Sequence, residues 1–279
     1  MAVKKFEDLE FSDDYMFKKV MMDEEICKGV IERLLHVQVD HLDYPEVEKQ
    51  LNPYYGTKGI RLDVYVKDSD RIFDLEIQSY KENALGERTR FYQSLLDTDS
   101  LMKGSTYDEL KESYIVFICL ENPFDNLKEE DLIPRYEFVS LCKEKPSIRL
   151  NDKSTKVIYN ASRYKKEKDS VVRAFLKFVY ENKSEDSFTK NIQNRVDDVK
   201  RAEINKEEYL NMNIHDYDVL RRGRDEGIAI GIERGKDESR LETAKKLLQM
   251  NVCTIEQIAS ATELSIEEVK ALAEEAKSN

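Results

Sequence analysis

The sequence has no tryptophan and only three histidines, His36, His41 and His215. This scarcity excludes histidine-rich zinc sites, and the four cysteines stand far apart with no Cys-x-x-Cys pair. We therefore expect reduced thiols in a cytoplasmic protein. No apolar run approaches the roughly 18 residues of a membrane-spanning helix, so we expect no membrane partner. Any bound metal is expected to have oxygen ligands, which favours Mg²⁺, Mn²⁺ or Ca²⁺.

Charged residues are abundant and unevenly distributed. They make up 37% of the 279 residues, and the net charge of the chain is −12. Residues 1–142 carry a net charge of −13, whereas residues 143–183 contain twelve Lys and Arg against five Asp and Glu. The basic stretch is a candidate docking surface for a polyanion. Two solvated basic faces without a partner are an equally good interpretation.

Two segments near the N-terminus differ in hydrophobic period. Apolar residues recur at helical spacing over 13–36, which predicts one or two helices broken near Asp23. Apolar residues then alternate at 60, 62, 64 and 66, and again at 73, 75 and 77. This period of two predicts two strands, and Asp68-Ser69-Asp70 between them is typical of a turn. The two strands are predicted to form a hairpin.

The rest of the chain predicts an α/β core followed by helices. The continuous apolar run Tyr114–Leu120 is typical of a central strand buried on both faces. We predict a core that ends near residue 165 and a mostly helical tail, which gives three parts: 1–165, 166–222 and 223–279. Further predicted elements are a helix over 84–103 that stops at Gly104, strands over 136–142 and 156–160, and helices over 171–179 and 188–199.

The hairpin brings two acids together. Pairing Lys67 with Ile72 puts all the apolar residues on one face, which fixes the register. On the other face Asp63 then lies directly opposite Glu76, with Gln78 two residues further along. Opposed side chains have Cβ atoms about 4.5–5.5 Å apart, where two like charges repel each other. A divalent cation or a shared proton would offset this repulsion, and a solvated sheet face is the alternative without function.

These residues also carry a family pattern. Asp63 followed by Glu76-Ile77-Gln78 resembles the PD-(D/E)XK nuclease signature, with glutamine in place of the usual lysine. More closely, the chain resembles the recombination-promoting nuclease and transposase group of that superfamily. The resemblance is weakest over 125–220. Its matching segments are Asp14-Tyr-Met-Phe-Lys18, Arg61-Leu-Asp-Val64, Leu75-Glu-Ile-Gln-Ser79, Arg88-Thr-Arg-Phe-Tyr92, Gly104 to Tyr107, Gly227-Ile-Ala-Ile-Gly231, Gly235, Ala244-Lys-Lys-Leu-Leu248 and Leu264-Ser-Ile-Glu-Glu268.

The resemblance implies a restriction-endonuclease-like core, a central mixed sheet flanked by helices. It also implies cleavage of DNA phosphodiester bonds that depends on Mg²⁺, with Mn²⁺ as a substitute. Asp63 and Glu76 would be metal ligands together with the Ile77 carbonyl, and Asp14 would be an accessory acid. Gln78 stands at the position of the superfamily lysine and adds no charge there.

Several basic residues are candidates for contacts with DNA. Arg88 could supply the charge that Gln78 lacks, since Arg88 and Tyr92 share one helix face. A surface salt bridge for Arg88 and a core position for Tyr92 is the alternative. Within the basic stretch, the candidates are Lys165, Lys166 and Lys168.

The tail has a glycine at every fourth position: Gly223, Gly227, Gly231 and Gly235. Each glycine inside a helix costs roughly 1 kcal/mol, so this ridge predicts close packing on a second helix and a homodimer or larger homo-oligomer. A flexible linker is the alternative. Thr254 and Ser265 each begin a predicted capping box, and the two short helices resemble a helix-turn-helix. Because the second helix is acidic, we favour a packing role over DNA reading.

The sequence therefore predicts a metal-dependent DNA endonuclease linked to mobile elements, recombination or defence. The first competing hypothesis is a catalytically decayed nuclease fold that acts as a protein-interaction module, with Gln78 as the sign of decay. The second is a DNA-binding factor that works through residues 143–183. Retention of both Asp63 and Glu76 favours the enzyme.

Overall fold

The computed structural model describes residues 4–43, 45–52, 58–81, 83–250 and 253–278, and it describes side chains outside 213–230, 232–234 and 274–278. The chain divides into two compact units, residues 1–209 and residues 210–279. All six strands of the described residues, and the helices up to residue 201, belong to the first unit. The three-part division made from the sequence stays a prediction.

A six-stranded mixed sheet forms the centre of the first unit, with strand order β1-β2-β3-β4-β6-β5. β1, β2 and β3 are antiparallel, β3, β4 and β6 are parallel, and β5 is an antiparallel edge strand. The predicted hairpin and the predicted central strand, β4, are confirmed. The strands are β1 (Glu46–Leu51), β2 (Ile60–Lys67), β3 (Arg71–Gln78), β4 (Glu112–Cys119), β5 (Arg135–Phe138) and β6 (Ser154–Asn160).

Some of the helices begin at a polar cap that the sequence shows. Asp23 separates the first two helices, and its side chain accepts a hydrogen bond from the Ile26 N–H. The helix predicted over 84–103 ends earlier, at Ser100, and Gly104 adopts its positive φ of 97° four residues later. The helices are α1 (Asp14–Met21), α2 (Glu24–Leu35), α3 (Leu85–Ser100), α4 (Ser170–Glu181), α5 (Ser187–Arg201), α6 (Glu203–Met250), α7 (Ile255–Thr262) and α8 (Ile266–Ser278).

Packing of aromatic rings fixes α1 in the first unit. The ring of Phe17, on α1, lies 5.4 Å from the ring of Phe11, and Phe11 lies 6.1 Å from Phe175 of α4. All three side chains are fully buried. α3 is fixed against the sheet by Leu95 and Leu96, which pack in one cluster with Ile115 and Phe117 of β4. These two helices carry the charged side chains that meet at the candidate site.

β1 was missed by the sequence analysis. Its residues are mostly polar and half-exposed, so the strand has little hydrophobic alternation. Val47 pairs with Val64 and Lys49 pairs with Leu62, and Glu48 lies between these pairs with a φ of 56°. A non-glycine residue in this left-handed region inside a strand is strained. Position 48 faces Asp63 in the register of β1 and β2.

The second unit contains a small helical core. Ala244 of α6 is buried together with Ile258 and Ala259 of α7 and Val269 of α8. The Thr254 capping box at the start of α7 is confirmed, and Ser265 exchanges the same pair of bonds with Glu268 at the start of α8. The apolar faces of these helices therefore pack on one another, which agrees with a packing role.

The cysteines are all free thiols. Cys27 and Cys119 are buried, Cys142 is half-buried and Cys253 is exposed. Burial raises the pKa of Cys27 and of Cys119 to about 12, so both thiols are unreactive at neutral pH. Among the described helices, none combines the length and the apolar character needed to cross a membrane.

Candidate active site

Asp63 and Glu76 face each other at the point where β2 and β3 separate. The backbone ladder runs in the predicted register from Lys67–Ile72 to Val64–Leu75. Beyond the Val64–Leu75 pair, hydrogen bonds to the side chains of Asp63 and Glu76 take the place of hydrogen bonds between the two backbones. The Asp63 N–H donates to Oε1 of Glu76 at 2.9 Å, and the Ile77 N–H donates to Oδ2 of Asp63 at 3.2 Å. Each carboxylate thus holds the other strand's backbone and is itself fixed in place.

Both carboxyl groups are removed from water. Glu76 is 0% exposed and Asp63 is 9% exposed. Burial raises the pKa of Glu76 to about 8, and the nearby Asp63 adds to the rise. Burial also raises the pKa of Asp63 to about 6, although the Lys18 ammonium opposes the rise. Two acids with raised pKa values in one place are typical of a site that performs chemistry.

Lys18 of α1 is the first residue that the sequence analysis missed. Its Nζ lies 2.8 Å from Oδ2 of Asp14, 3.3 Å from Oδ1 of Asp63 and 3.3 Å from Oε1 of Glu48. The side chain is only 4% exposed. Burial alone would lower the pKa of Lys18, but the carboxylates of Asp63, Asp14 and Glu48 outweigh burial and raise it. The available signal was its position four residues after Asp14, on the same helix face.

Arg88 of α3 is the second cation beside the acid pair, and the phosphate contact expected of it stays a prediction. Its Nη2 donates to Oε2 of Glu76 at 2.6 Å, its Nη1 donates to Oε1 of Gln78 at 2.8 Å and its Nε donates to the Tyr92 hydroxyl at 2.9 Å. Gln78 is 5% exposed. The glutamine at the superfamily lysine position therefore acts here as an acceptor that orients a guanidinium.

Asp74 is the second residue that the sequence analysis missed. It lies on the same face of β3 as Glu76 and is 0% exposed. Neither of its carboxyl oxygens has a hydrogen-bond partner within the described part of the chain. Burial raises the pKa of Asp74 well above its usual value, and the charges of Glu76 and Asp63 raise it further. The neutral acid is therefore favoured at this position. The sequence signal for Asp74 was the alternation of side chains along a strand, since positions 74, 76 and 78 share one face of β3.

Of the other predicted residues, Asp14 lies at the margin of the site and Ile77 lies within it. Asp14 contacts Lys18, and its side chain is 53% exposed. Ile77 is 7% exposed and reaches Asp63 through its N–H.

The three candidate lysines follow β6 in the chain. Asn160 at the end of β6 pairs with Cys119 of β4, and Cys119 pairs with Gln78 of β3, so the three parallel strands end at the same level. The sheet topology therefore places Lys165, Lys166 and Lys168 beyond the edge at which β3 ends. All three lysines are exposed, and Lys166 also donates to the backbone carbonyls of Glu129 and Leu132.

The acid pair offers oxygen donors of the kind that a divalent cation prefers, and each of its four carboxylate oxygens also has a protein partner in the structure. Among the described residues, no three acidic, histidine or cysteine side chains converge as a complete metal site. Mg²⁺ does not require three such ligands, because it is usually held by one or two carboxylates together with water and phosphate oxygens. A cation between Asp63 and Glu76 would also favour the ionised form of both acids and so offset their raised pKa values.

A mixed sheet flanked by helices, with an acid pair where two central strands separate, defines a nuclease fold of the PD-(D/E)XK, restriction-endonuclease-like type. A family model for a PD-(D/E)XK nuclease family transposase matches residues 11–214, and the chain belongs to this family. Neither the search of curated proteins nor the search of solved structures gave a match. The family supports a nuclease or transposase-like function.

Proposed function

We propose that this protein is a divalent-metal-dependent DNA endonuclease that hydrolyses phosphodiester bonds, in the cytoplasm, in the context of mobile elements, recombination or defence. The observation that carries the proposal is the buried pair of Asp63 and Glu76, whose carboxylates face each other with raised pKa values. Burial of two acids costs free energy, and substitution by apolar residues would remove that cost, so a buried acid pair indicates a function.

The protein's own residues hold and orient the reactants. Asp63, Glu76 and the Ile77 carbonyl would hold Mg²⁺ or Mn²⁺, which supplies positive charge at the phosphate and lowers the pKa of a bound water. Arg88 lies close enough to Glu76 to contact the same phosphate group that a cation at the acid pair would bind. Its guanidinium favours the planar, two-point contact that phosphates offer.

Lys18 supplies the charge that Gln78 lacks. Its ammonium lies 3.3 Å from Asp63, and the surrounding carboxylates keep it protonated. A fixed positive charge next to the reacting phosphate stabilises the transition state more than the ground state, because negative charge develops on the phosphoryl oxygens. We therefore assign to Lys18 on α1 the function that the motif lysine has in the superfamily.

Purified protein is expected to nick supercoiled plasmid in Mg²⁺ or Mn²⁺ and to leave it intact in EDTA. A gel that resolves supercoiled, nicked and linear plasmid measures this result. A protein prepared in parallel with Asp63→Asn controls for contaminating nucleases. Intact plasmid in both metals would favour the competing hypothesis of a decayed nuclease fold that binds DNA or protein. Equal cutting in EDTA would contradict the proposed metal dependence.

The second unit provides a means of self-association. A Cβ atom at Gly231 or Gly235 would meet no atom within 4 Å, and the surroundings of Gly223 and Gly227 lie outside the described residues. A glycine ridge open at these two positions can let a helix of a second copy approach closely. We infer a homodimer or larger assembly, which brings two nuclease cores to one DNA molecule.

The double variant Gly231→Leu/Gly235→Leu is expected to be monomeric, because leucine blocks close approach while favouring the helix itself. Light scattering on the full-length wild-type and variant proteins measures the mass. Gly86→Ala is the matched control, since its Cβ also meets nothing within 4 Å but lies on α3. A monomeric wild type at micromolar concentration would refute the assembly, and an unchanged oligomer in the variant would place the interface elsewhere.

A further inference from the structure

A groove of about 590 Å³ adjoins the acid pair in the first unit. The start of β2, the residue Tyr80 after β3 and the first turns of α3 form its walls. The lining residues that matter here are Lys58, Arg61, Tyr80, Glu87, Arg88 and Phe91.

Arg88 connects this groove with the acid pair. Its guanidinium lines the groove and also donates to Oε2 of Glu76 at 2.6 Å. The Arg88 side chain is 27% exposed, whereas that of Glu76 is 1% exposed. Tyr92, whose hydroxyl accepts from Arg88, lines the groove as well. A ligand in the groove therefore meets Arg88 before it meets Glu76.

The groove is locally basic within an acidic part of the chain. Among the described lining residues, Lys58, Arg61 and Arg88 outnumber Glu87, although residues 1–142 carry a net charge of −13. The Arg61 side chain remains 50% exposed next to Glu48. The groove also includes Ala84, which precedes α3 and has no side-chain oxygen with which to cap it. The first N–H groups of a helix attract anions such as phosphate.

Besides Tyr92, two further aromatic side chains accompany these charges. Tyr80 is 61% exposed, and Phe91 is half-buried against the core cluster. A basic groove with aromatic side chains is the usual arrangement for binding single-stranded nucleic acid, because unpaired bases stack on aromatic rings while phosphates meet the cations. In a duplex the base faces are already stacked and are not available to Tyr80.

We propose that this groove binds an unpaired nucleotide of the substrate strand next to the bond that is cut. The base stacks on Tyr80, Lys58 and Arg61 contact the backbone, and the neighbouring phosphate reaches Arg88. The substrate is accordingly single-stranded DNA or DNA with an unpaired segment. This inference rests on the proposed nuclease function for the position of the cut, but binding in the groove is measured separately from cutting.

Fluorescence anisotropy of labelled DNA on full-length wild-type protein in EDTA tests the groove without cleavage. A short single strand is expected to bind more tightly than a hairpin duplex of the same composition. Tyr80→Ala is expected to weaken single-strand binding by about fivefold or more, the effect of losing one stacked base. Tyr107→Ala is the matched control, because Tyr107 is 86% exposed and does not line the groove.

Salt dependence tests the charges independently of stacking. Arg61→Gln is expected to reduce the slope of log affinity against log salt by about 0.7, the value for one phosphate contact on a single strand. Glu87→Gln is expected to tighten binding, because it removes the acid found among the described lining residues. Wild-type single-strand affinity in both Tyr80→Ala and Arg61→Gln would overturn the proposal, and so would equal affinity for strand and duplex.

The two proposals fail in different ways. Metal-dependent nicking with wild-type binding in both Tyr80→Ala and Arg61→Gln would refute the nucleotide groove and leave the nuclease. Tyr80-dependent binding of single strands without nicking in any metal would refute the nuclease function and leave a binding groove. Where nicking occurs, Tyr80→Ala is expected to raise KM for single-stranded substrate and to leave kcat unchanged.

Discussion

Asp63→Asn and Glu76→Gln are each expected to abolish metal-dependent plasmid nicking, with a loss of about 10³-fold or more in rate. Each amide keeps the volume of the acid and one oxygen that accepts the partner strand's N–H bond. Each removes the negative charge and one of the two oxygens that could hold a cation. The measurement is the initial rate of nicking at saturating Mg²⁺.

Amides are better substitutes here than alanine. Glu76→Ala would leave the Arg88 guanidinium without its carboxylate, and removal of one partner of a buried pair costs about 3–5 kcal/mol, less for a partly exposed arginine. Thermal denaturation should therefore show a lower Tm for Glu76→Ala than for Glu76→Gln. Glu130→Gln is the control, since the Glu130 side chain is 75% exposed. Wild-type nicking by either folded amide variant would show that the acid pair is not the active site.

Lys18→Met is expected to reduce kcat by about 10²–10³-fold, the usual effect of removing one charge-stabilising donor from a transition state. Methionine has a similar length and keeps the apolar packing of α1. Lys18→Arg is expected to restore part of the rate, because it returns the charge without the same geometry. Lys19→Met is the matched control, since Lys19 follows on the same helix and pairs with Glu208 instead.

Metal affinity separates a catalytic Lys18 from one that only neutralises the acids. Lys18→Met leaves the three neighbouring carboxylates without their cation, so Mn²⁺ is expected to bind at least as tightly as in the wild type. Titration calorimetry with Mn²⁺ alone measures this affinity. A variant with a wild-type kcat at saturating metal would limit Lys18 to charge neutralisation. A lower kcat with unchanged or tighter Mn²⁺ binding agrees with a role in the reaction.

The hairpin and its acid pair could be predicted because they depend on local patterns. The side-chain period of a strand is two, and a slip of one residue would have turned Val64, Val66 and Phe73 to the wrong face. The register therefore followed from the sequence, and with it the opposition of Asp63 and Glu76. The break at Asp23 followed in the same way from capping chemistry.

Only the tertiary structure showed which cations meet the acid pair. Lys18 and Arg88 reach Asp63 and Glu76 from α1 and α3, whose positions depend on the packing of buried side chains such as Phe17 and Leu96. No periodicity within one segment reports such contacts. A lysine at position 78 would agree with the superfamily pattern, yet the structure shows that Gln78 accepts a hydrogen bond from Arg88.

The sequence by itself determined the β2–β3 hairpin, the buried strand β4 and the caps at Asp23 and Thr254, since each depends on residues close together in the chain. The tertiary structure decided the strand β1 and the burial of Asp74. It also decided the groove that joins Arg88 to Tyr80. These features arise where separate elements meet, and their energies come from desolvation and from contacts between distant residues. Hydrophobic alternation indicates which face of a strand is buried, but it does not indicate which charged side chain of another element lies against that strand.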